Sequence, residues 1–160
     1  MVSSLEIDLP DLAASAAFGA RLADHLAPGD VVFLIGDLGA GKTTLARAVI
    51  DRACGVKDAP SPTYTLVQTY EARAGFELWH ADLYRIEDEG ELLELGLEEA
   101  FDTDACLIEW PDRLGAMTPQ TRLEIAIILD PGDQGEGEAR RRARLSGFGE
   151  WESRIDDLAR

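Results

Sequence analysis

Five apolar residues, Val31-Val32-Phe33-Leu34-Ile35, run without a break into Gly36-Asp37-Leu38-Gly39-Ala40-Gly41-Lys42-Thr43. A short, continuous run of this kind is what a strand buried on both faces looks like. The spacing G-x-x-x-x-G-K-[ST] is met by Gly36, Gly41, Lys42 and Thr43, and the physics asks for these types at these places. Leaving a buried strand, the chain must wrap around a phosphate before it enters a helix. Gly36, Gly39 and Gly41 permit the backbone angles and close approach this needs. Successive N–H groups then point into one concavity, at the positive end of the helix dipole. A lysine at a helix start is disfavoured by that dipole and so needs an anion. A plain glycine turn explains neither Lys42 nor Thr43. The candidate nucleotide-binding residues are Gly36, Asp37, Leu38, Gly39, Ala40, Gly41, Lys42, Thr43 and Thr44, with Lys42 reaching the outer phosphates and the Thr43 hydroxyl offered to Mg²⁺.

The flanking chain reads as one α/β unit. Leu5, Ile7 and Leu9 alternate with polar residues as a strand that Pro10 ends, and residues 11–27 carry helical spacing. A helix is expected over residues 42–53 with Gly55 as its C-cap. Strands are expected over 65–70 and 76–80, joined as a hairpin at Arg73-Ala74-Gly75. An acidic helix over 89–95 breaks at Gly96 and resumes to Phe101. Further strands are expected over 105–108, 123–129 and 140–148, with 131–138 as a hairpin tip. Residues 150–160 read as a closing helix or tail. No repeat is present. The 160 residues suit one domain, 1–160, with about the last ten as a loosely packed helix or tail.

The net charge of −16 argues against autonomous nucleic-acid binding and against anionic lipid. It fits a chain whose partners are proteins, and it requires any phosphate site to be built locally. No apolar run approaches the roughly 20 residues of a membrane span, and no signal peptide is visible, so a cytoplasmic protein without a membrane partner is expected. Cys54 and Cys106 read as buried thiols, neither disulfide framework nor metal pair.

A phosphate loop needs a carboxylate for Mg²⁺ and a group that positions the nucleophile. Ligands sit outside the carboxyl ends of strands in such sheets, so strand-end acids are the candidates. Glu109 ends the run Ala105-Cys106-Leu107-Ile108 and precedes Trp110-Pro111; Asp82 follows the strand that contains His80. His80 itself reads as a satisfied structural histidine.

At this point four motifs stand in order: the G-D-L-G-A-G-K-T-T loop, Ser61-Pro62-Thr63-Tyr64-Thr65, His80-Ala81-Asp82-Leu83-Tyr84-Arg85 and Glu109-Trp110-Pro111. From about residue 10 to 130 the chain resembles the bacterial TsaE (YjeE) family, the ATPase component of tRNA threonylcarbamoyladenosine biosynthesis. The resemblance implies a three-layer α/β P-loop NTPase fold with a mixed, mostly parallel sheet flanked by helices. It implies ATP and Mg²⁺ as cofactors, held by Lys42 and Thr43. It makes residues 61–65 a switch segment with Thr63 and Thr65 near the γ-phosphate, and Asp82 the catalytic or water-positioning acid. Glu109 becomes the metal-binding acid and Trp110 the aromatic beside the nucleotide. Arg85 reads as a salt-bridge residue in acidic surroundings. The implied partners are TsaB- and TsaD-type proteins, with tRNA reached only through them; the acidic segment 87–99 is a candidate docking face. No motif matches in the last thirty residues.

A GTP switch is excluded, because its N-K-x-D loop needs asparagine and the chain contains none. Two alternatives remain open: an ATP-sensing module without meaningful turnover, and a small-molecule kinase on the same loop. No obvious arginine finger is present in the chain, so slow turnover alone is expected, with stimulation by partners.

Overall fold

Hydrophobic alternation and helix caps divide the chain into seven strands and five helices among the described residues. These are β1 (Ser3–Leu9), α1 (Leu12–Asp24), β2 (Val31–Ile35), α2 (Lys42–Cys54), β3 (Val67–Glu71), β4 (Glu77–Asp82), α3 (Glu89–Glu94), α4 (Leu97–Thr103), β5 (Ala105–Glu109), β6 (Arg122–Leu129), β7 (Arg141–Phe148) and α5 (Trp151–Arg154). The structure is a computed structural model and describes residues 3–130 and 140–159. The expected hairpin tip at 131–138 lies outside them. The Asp11 side chain caps α1 by accepting from the N–H of Ala14. Gly55 closes α2 in the left-handed conformation, as its position in the sequence suggested.

The strands form a single sheet in the order β1-β7-β6-β2-β5-β4-β3. The pairs β6–β2, β2–β5 and β5–β4 are parallel, and β1–β7, β7–β6 and β3–β4 are antiparallel. The sheet is thus mixed as expected: its pairs divide evenly, while five of the seven strands, all but β3 and β7, run in one direction. The two hairpins, β3–β4 and β6–β7, with β1 added at one edge, supply as many pairs as the crossovers through helices do.

Period-two alternation separates two cores. Val32, Leu34, Leu78, Leu107, Ile125 and Leu145 face α1 and α2. Val31, Phe33, Ala81, Cys106 and Ile108 face α3, α4 and Leu114 of the 3-10 segment Pro111–Met117. Helices on both faces make the expected three layers. The end of the chain is no loose tail: Trp151, Ile155 and Leu158 are buried in the α1-side core. Arg154 grips the buried Asp30 with both guanidinium arms, at 2.6 and 2.9 Å.

Candidate functional site

The site sits at the carboxyl ends of the parallel strands, where β2 leaves the sheet. Gly36, Gly39 and Gly41 have φ of 157°, 80° and 112°. For Gly39 and Gly41 this is the left-handed region that side chains disfavour. Ala40 is buried, and the loop enters α2 at Lys42.

Strand pairing brings the acids together. Alternation on β4 puts Leu78, His80 and Asp82 on the α2 side of the sheet; on β5 it puts Leu107 and Glu109 there. The parallel register sets Asp82 beside Glu109. Asp82 is the last residue of β4 itself, which runs two residues beyond the expected end at 80. Its Oδ1 accepts from the N–H of Tyr84 at 3.0 Å, and its own N–H donates to Leu66 O at 2.9 Å. Asp82 is 7% exposed and Glu109 2%.

Glu109 is gripped from two sides. Thr43 Oγ1 lies 3.2 and 3.3 Å from its two carboxylate oxygens. His80 Nε2 lies 2.6 Å from Oε2, and with the carboxylate ionised the ring must be the donor. His80 Nδ1 is buried without a hydrogen-bond partner. His80 is therefore structural in position, but it is not fully satisfied, and its one hydrogen bond is made to a candidate metal-binding acid.

Lys42 is 5% exposed. Its Nζ donates to Gly36 O at 2.5 Å and sits 3.7 Å from the centroid of the Trp110 ring. Burial pushes its pKa below the usual lysine range, against the opposing pull of Glu109, Asp82, Asp37 and Asp112. Trp110 adopts a left-handed φ of 58°, an uncommon conformation for a bulky side chain. It turns the ring over Lys42 and against Tyr84, with ring centroids 4.8 Å apart.

A cavity of about 240 Å³ is lined by the phosphate loop together with Thr43, Thr44, Thr63, Asp82, Glu109 and Trp110. A second, of about 440 Å³, shares Lys42 and Trp110 with the first and is also bounded by Gly36, Asp37, Phe33, Ile35 and Thr118. Thr63 joins the site, and its hydroxyl is 2.8 Å from that of Ser61. Thr65 does not: it is exposed and its hydroxyl accepts from Gln68 at 3.0 Å. Leu66, next in the chain, has a left-handed φ of 69°. Arg85 forms no ion pair among the described residues; its guanidinium lies 5.1 Å from the centroid of the exposed Tyr64 ring.

One residue in the cavity wall was missed by sequence reasoning: Arg141 at the start of β7, whose Nε donates to Ala40 O at 2.6 Å. The run Arg140-Arg141-Arg142 in so acidic a chain was the available signal. Nothing in its spacing pointed to residue 40.

The residues present suit a hard divalent cation. Mg²⁺ takes oxygen ligands at about 2.0–2.1 Å, so two ligands at right angles lie about 3 Å apart. The Thr43 hydroxyl and the nearer Glu109 oxygen, at 3.2 Å, have that spacing. Among the described residues no group of three or more His, Cys, Asp or Glu could hold a metal. No helix of the described residues is long and apolar enough to cross a membrane.

The family model "Threonylcarbamoyl adenosine biosynthesis protein TsaE" matches residues 9–139. The tRNA threonylcarbamoyladenosine biosynthesis protein TsaE of Rickettsia felis is 41% identical over 111 residues, covering 68% of this chain and 64% of that protein. Its namesake in Bacillus subtilis is 41% identical over 110 residues, 68% of each chain. In Haemophilus influenzae the figures are 38% over 132 residues, 79% of this chain and 83% of that one. The match spans just under two thirds of two Rickettsia relatives, 64% in Rickettsia felis and 61% in Rickettsia conorii. The crystal structure of Bacillus subtilis YdiB superposes with a TM-score of 0.78 at 29% identity, covering 99% of this chain and 96% of that one.

Proposed function

This chain belongs to the TsaE family, and on that premise we propose that it binds and hydrolyses ATP with Mg²⁺ as a subunit of the tRNA N6-threonylcarbamoyladenosine system. The observation that carries this reading is the Thr43–Glu109 pair, two hard oxygens at the mouth of a phosphate loop with Asp82 in register beside them. The named relatives act in this tRNA modification.

Backbone N–H groups of residues 36–44 cradle the phosphates. Lys42 swings from Gly36 O to the outer phosphates, and a nucleotide's charge offsets what burial costs its ammonium. Thr43 and Glu109 hold the cation, which when bound neutralises charge on the phosphate oxygens. His80 fixes the rotamer of Glu109. Asp82, anchored by the Tyr84 N–H, orients the attacking water from the γ-phosphate side. Thr63 lies in the wall of the same cavity; Thr65 reaches it only if the 61–66 segment turns. Because the Asp82 N–H is tied to Leu66 O, such a turn acts directly on the catalytic acid. Trp110 flanks the nucleotide over Lys42.

The protein acts in the cytoplasm on TsaB- and TsaD-type partners, and tRNA is held by them, since a chain of charge −16 repels a phosphate backbone. The acidic α3, with Leu93 exposed at its surface, is the proposed docking face. The test is ATP turnover of the chain alone and with TsaB- and TsaD-type proteins plus tRNA. Stimulation by the full set is expected. A rate that partners leave unchanged would make the chain an ATP-sensing module instead.

A further inference from the structure

We infer that Arg141 is a phosphate-binding residue, a second cation delivered to the nucleotide by the C-terminal hairpin. The inference rests on the nucleotide-site reading above and concerns a residue outside the 9–139 stretch that carries the family match.

Arg141 opens β7, in register with Leu9 of β1 and Leu129 of β6. Alternation then sorts the arginines of this strand. Ala143 and Leu145 point into the α1-side core, so Arg141 projects on the same face, where α2 begins. Arg142 and Arg144 project oppositely and meet Glu6. At the strand end Arg141 passes beside the core residues Leu9, Leu45 and Ile127, and its side chain reaches the phosphate loop. The Nε–H donates to Ala40 O, and a methyl built on Gly41 would stand 3.2 Å from Nε and 3.4 Å from Cδ. Arg141 thus lies along the loop at the residue that precedes α2, in the wall of the cavity shared by Thr43, Thr44, Asp82 and Glu109.

Charge gives this placement a purpose. Asp82 and Glu109 line the cavity with Lys42 and Arg141, so acids and cations face one space. A guanidinium presents a planar fork of N–H donors that matches phosphate oxygens. The Gly41–Thr44 end of the loop is where backbone N–H groups take the α- and β-phosphates. Arg141 therefore acts on phosphates that ADP and ATP share.

The test is titration of Mg-ADP and Mg-ATP into the wild type, Arg141→Gln and Arg141→Lys, with Lys42→Ala as the control for the site. Arg141→Gln keeps an amide donor for Ala40 O but loses the charge, and should weaken both nucleotides about tenfold or more. Arg141→Lys should lose less, yet fall measurably below the wild type, because a point charge does not reproduce the fork. The wild type should also show a steeper loss of affinity with salt than Arg141→Gln. Wild-type affinity in either variant, or a loss confined to ATP, overturns the inference while leaving the nucleotide site standing. Absence of nucleotide binding by the wild type overturns both. Melting of the empty variants checks that each is folded, and if Arg141→Gln is not, Arg141→Lys decides alone.

Discussion

Lys42→Ala separates what the phosphate lysine does for the fold from what it does for the ligand. In the empty protein the substitution removes a hydrogen bond to Gly36 O and the contact with Trp110. A charged hydrogen bond contributes about 1.5–3 kcal/mol and a cation–π contact about 0.5–2. It also removes a buried ammonium whose lowered pKa shows that desolvation outweighs four nearby acids. These terms oppose each other, so the net change should stay within about 2 kcal/mol. At about 2–4 °C per kcal/mol for a chain of this size, the empty variant should melt within about 8 °C of the wild type. With ligand at a hundredfold excess over Kd, mass action adds about 2.7 kcal/mol, or roughly 5–11 °C, to the wild type. The variant should gain almost none. Thermal melts with and without Mg-ATP measure both effects. A full ligand shift in Lys42→Ala would refute the placement of the phosphates. A collapse of the empty variant would show that Lys42 belongs to the core and not to the ligand. The same lysine has a pH signature. Between its lowered pKa and the ordinary 10.5, the unfolded chain binds more protons than the folded one. Stability of the empty protein therefore receives a rising contribution from Lys42 across that window, and Lys42→Ala abolishes it.

Glu109→Gln should weaken Mg²⁺ dependence more than affinity for metal-free nucleotide, read by titration with and without EDTA; equal losses would make Glu109 structural. Trp151→Ala should cost about 3–5 kcal/mol in urea unfolding, because the ring is fully buried; a change under about 1 kcal/mol would mean that the C-terminal segment is not core. In the native protein Cys106 should resist alkylation and react only on unfolding, since burial hides the thiol and pushes its pKa far up. Mass spectrometry of iodoacetamide-treated protein checks this, and rapid native labelling at Cys106 would contradict the β5 burial.

Most of the fold was legible because its cues are local. Apolar runs, alternation, Gly55 and the break at Gly96 placed the strands and helices to within a residue or two over most of the chain. Where the reading fell short, long-range packing was the reason. The strand β4 extends to Asp82 because pairing with β5 continues to Glu109, which residues 76–80 alone do not reveal. The parallel and antiparallel pairs are balanced because hairpins add strands at both edges, and strand order is not a local property. The closing segment reads as a loosely packed helix or tail in a short, charged sequence; it is helical, and three of its side chains complete the α1-side core.

The site divides along the same line. Residues 36–43 determined a phosphate cradle by themselves, since backbone angles, N–H direction and one lysine are set by eight consecutive residues and the strand and helix that flank them. Tertiary structure decided which distant groups share that cradle. Parallel register set Asp82 beside Glu109 and let His80 reach Glu109 across the strands. It left Thr65 turned toward Gln68 while Thr63 entered the cavity. It brought Arg141 to Ala40 across 101 positions of sequence. Spacing along a chain specifies local geometry; only the pairing of strands and the face each side chain takes can say which charges meet.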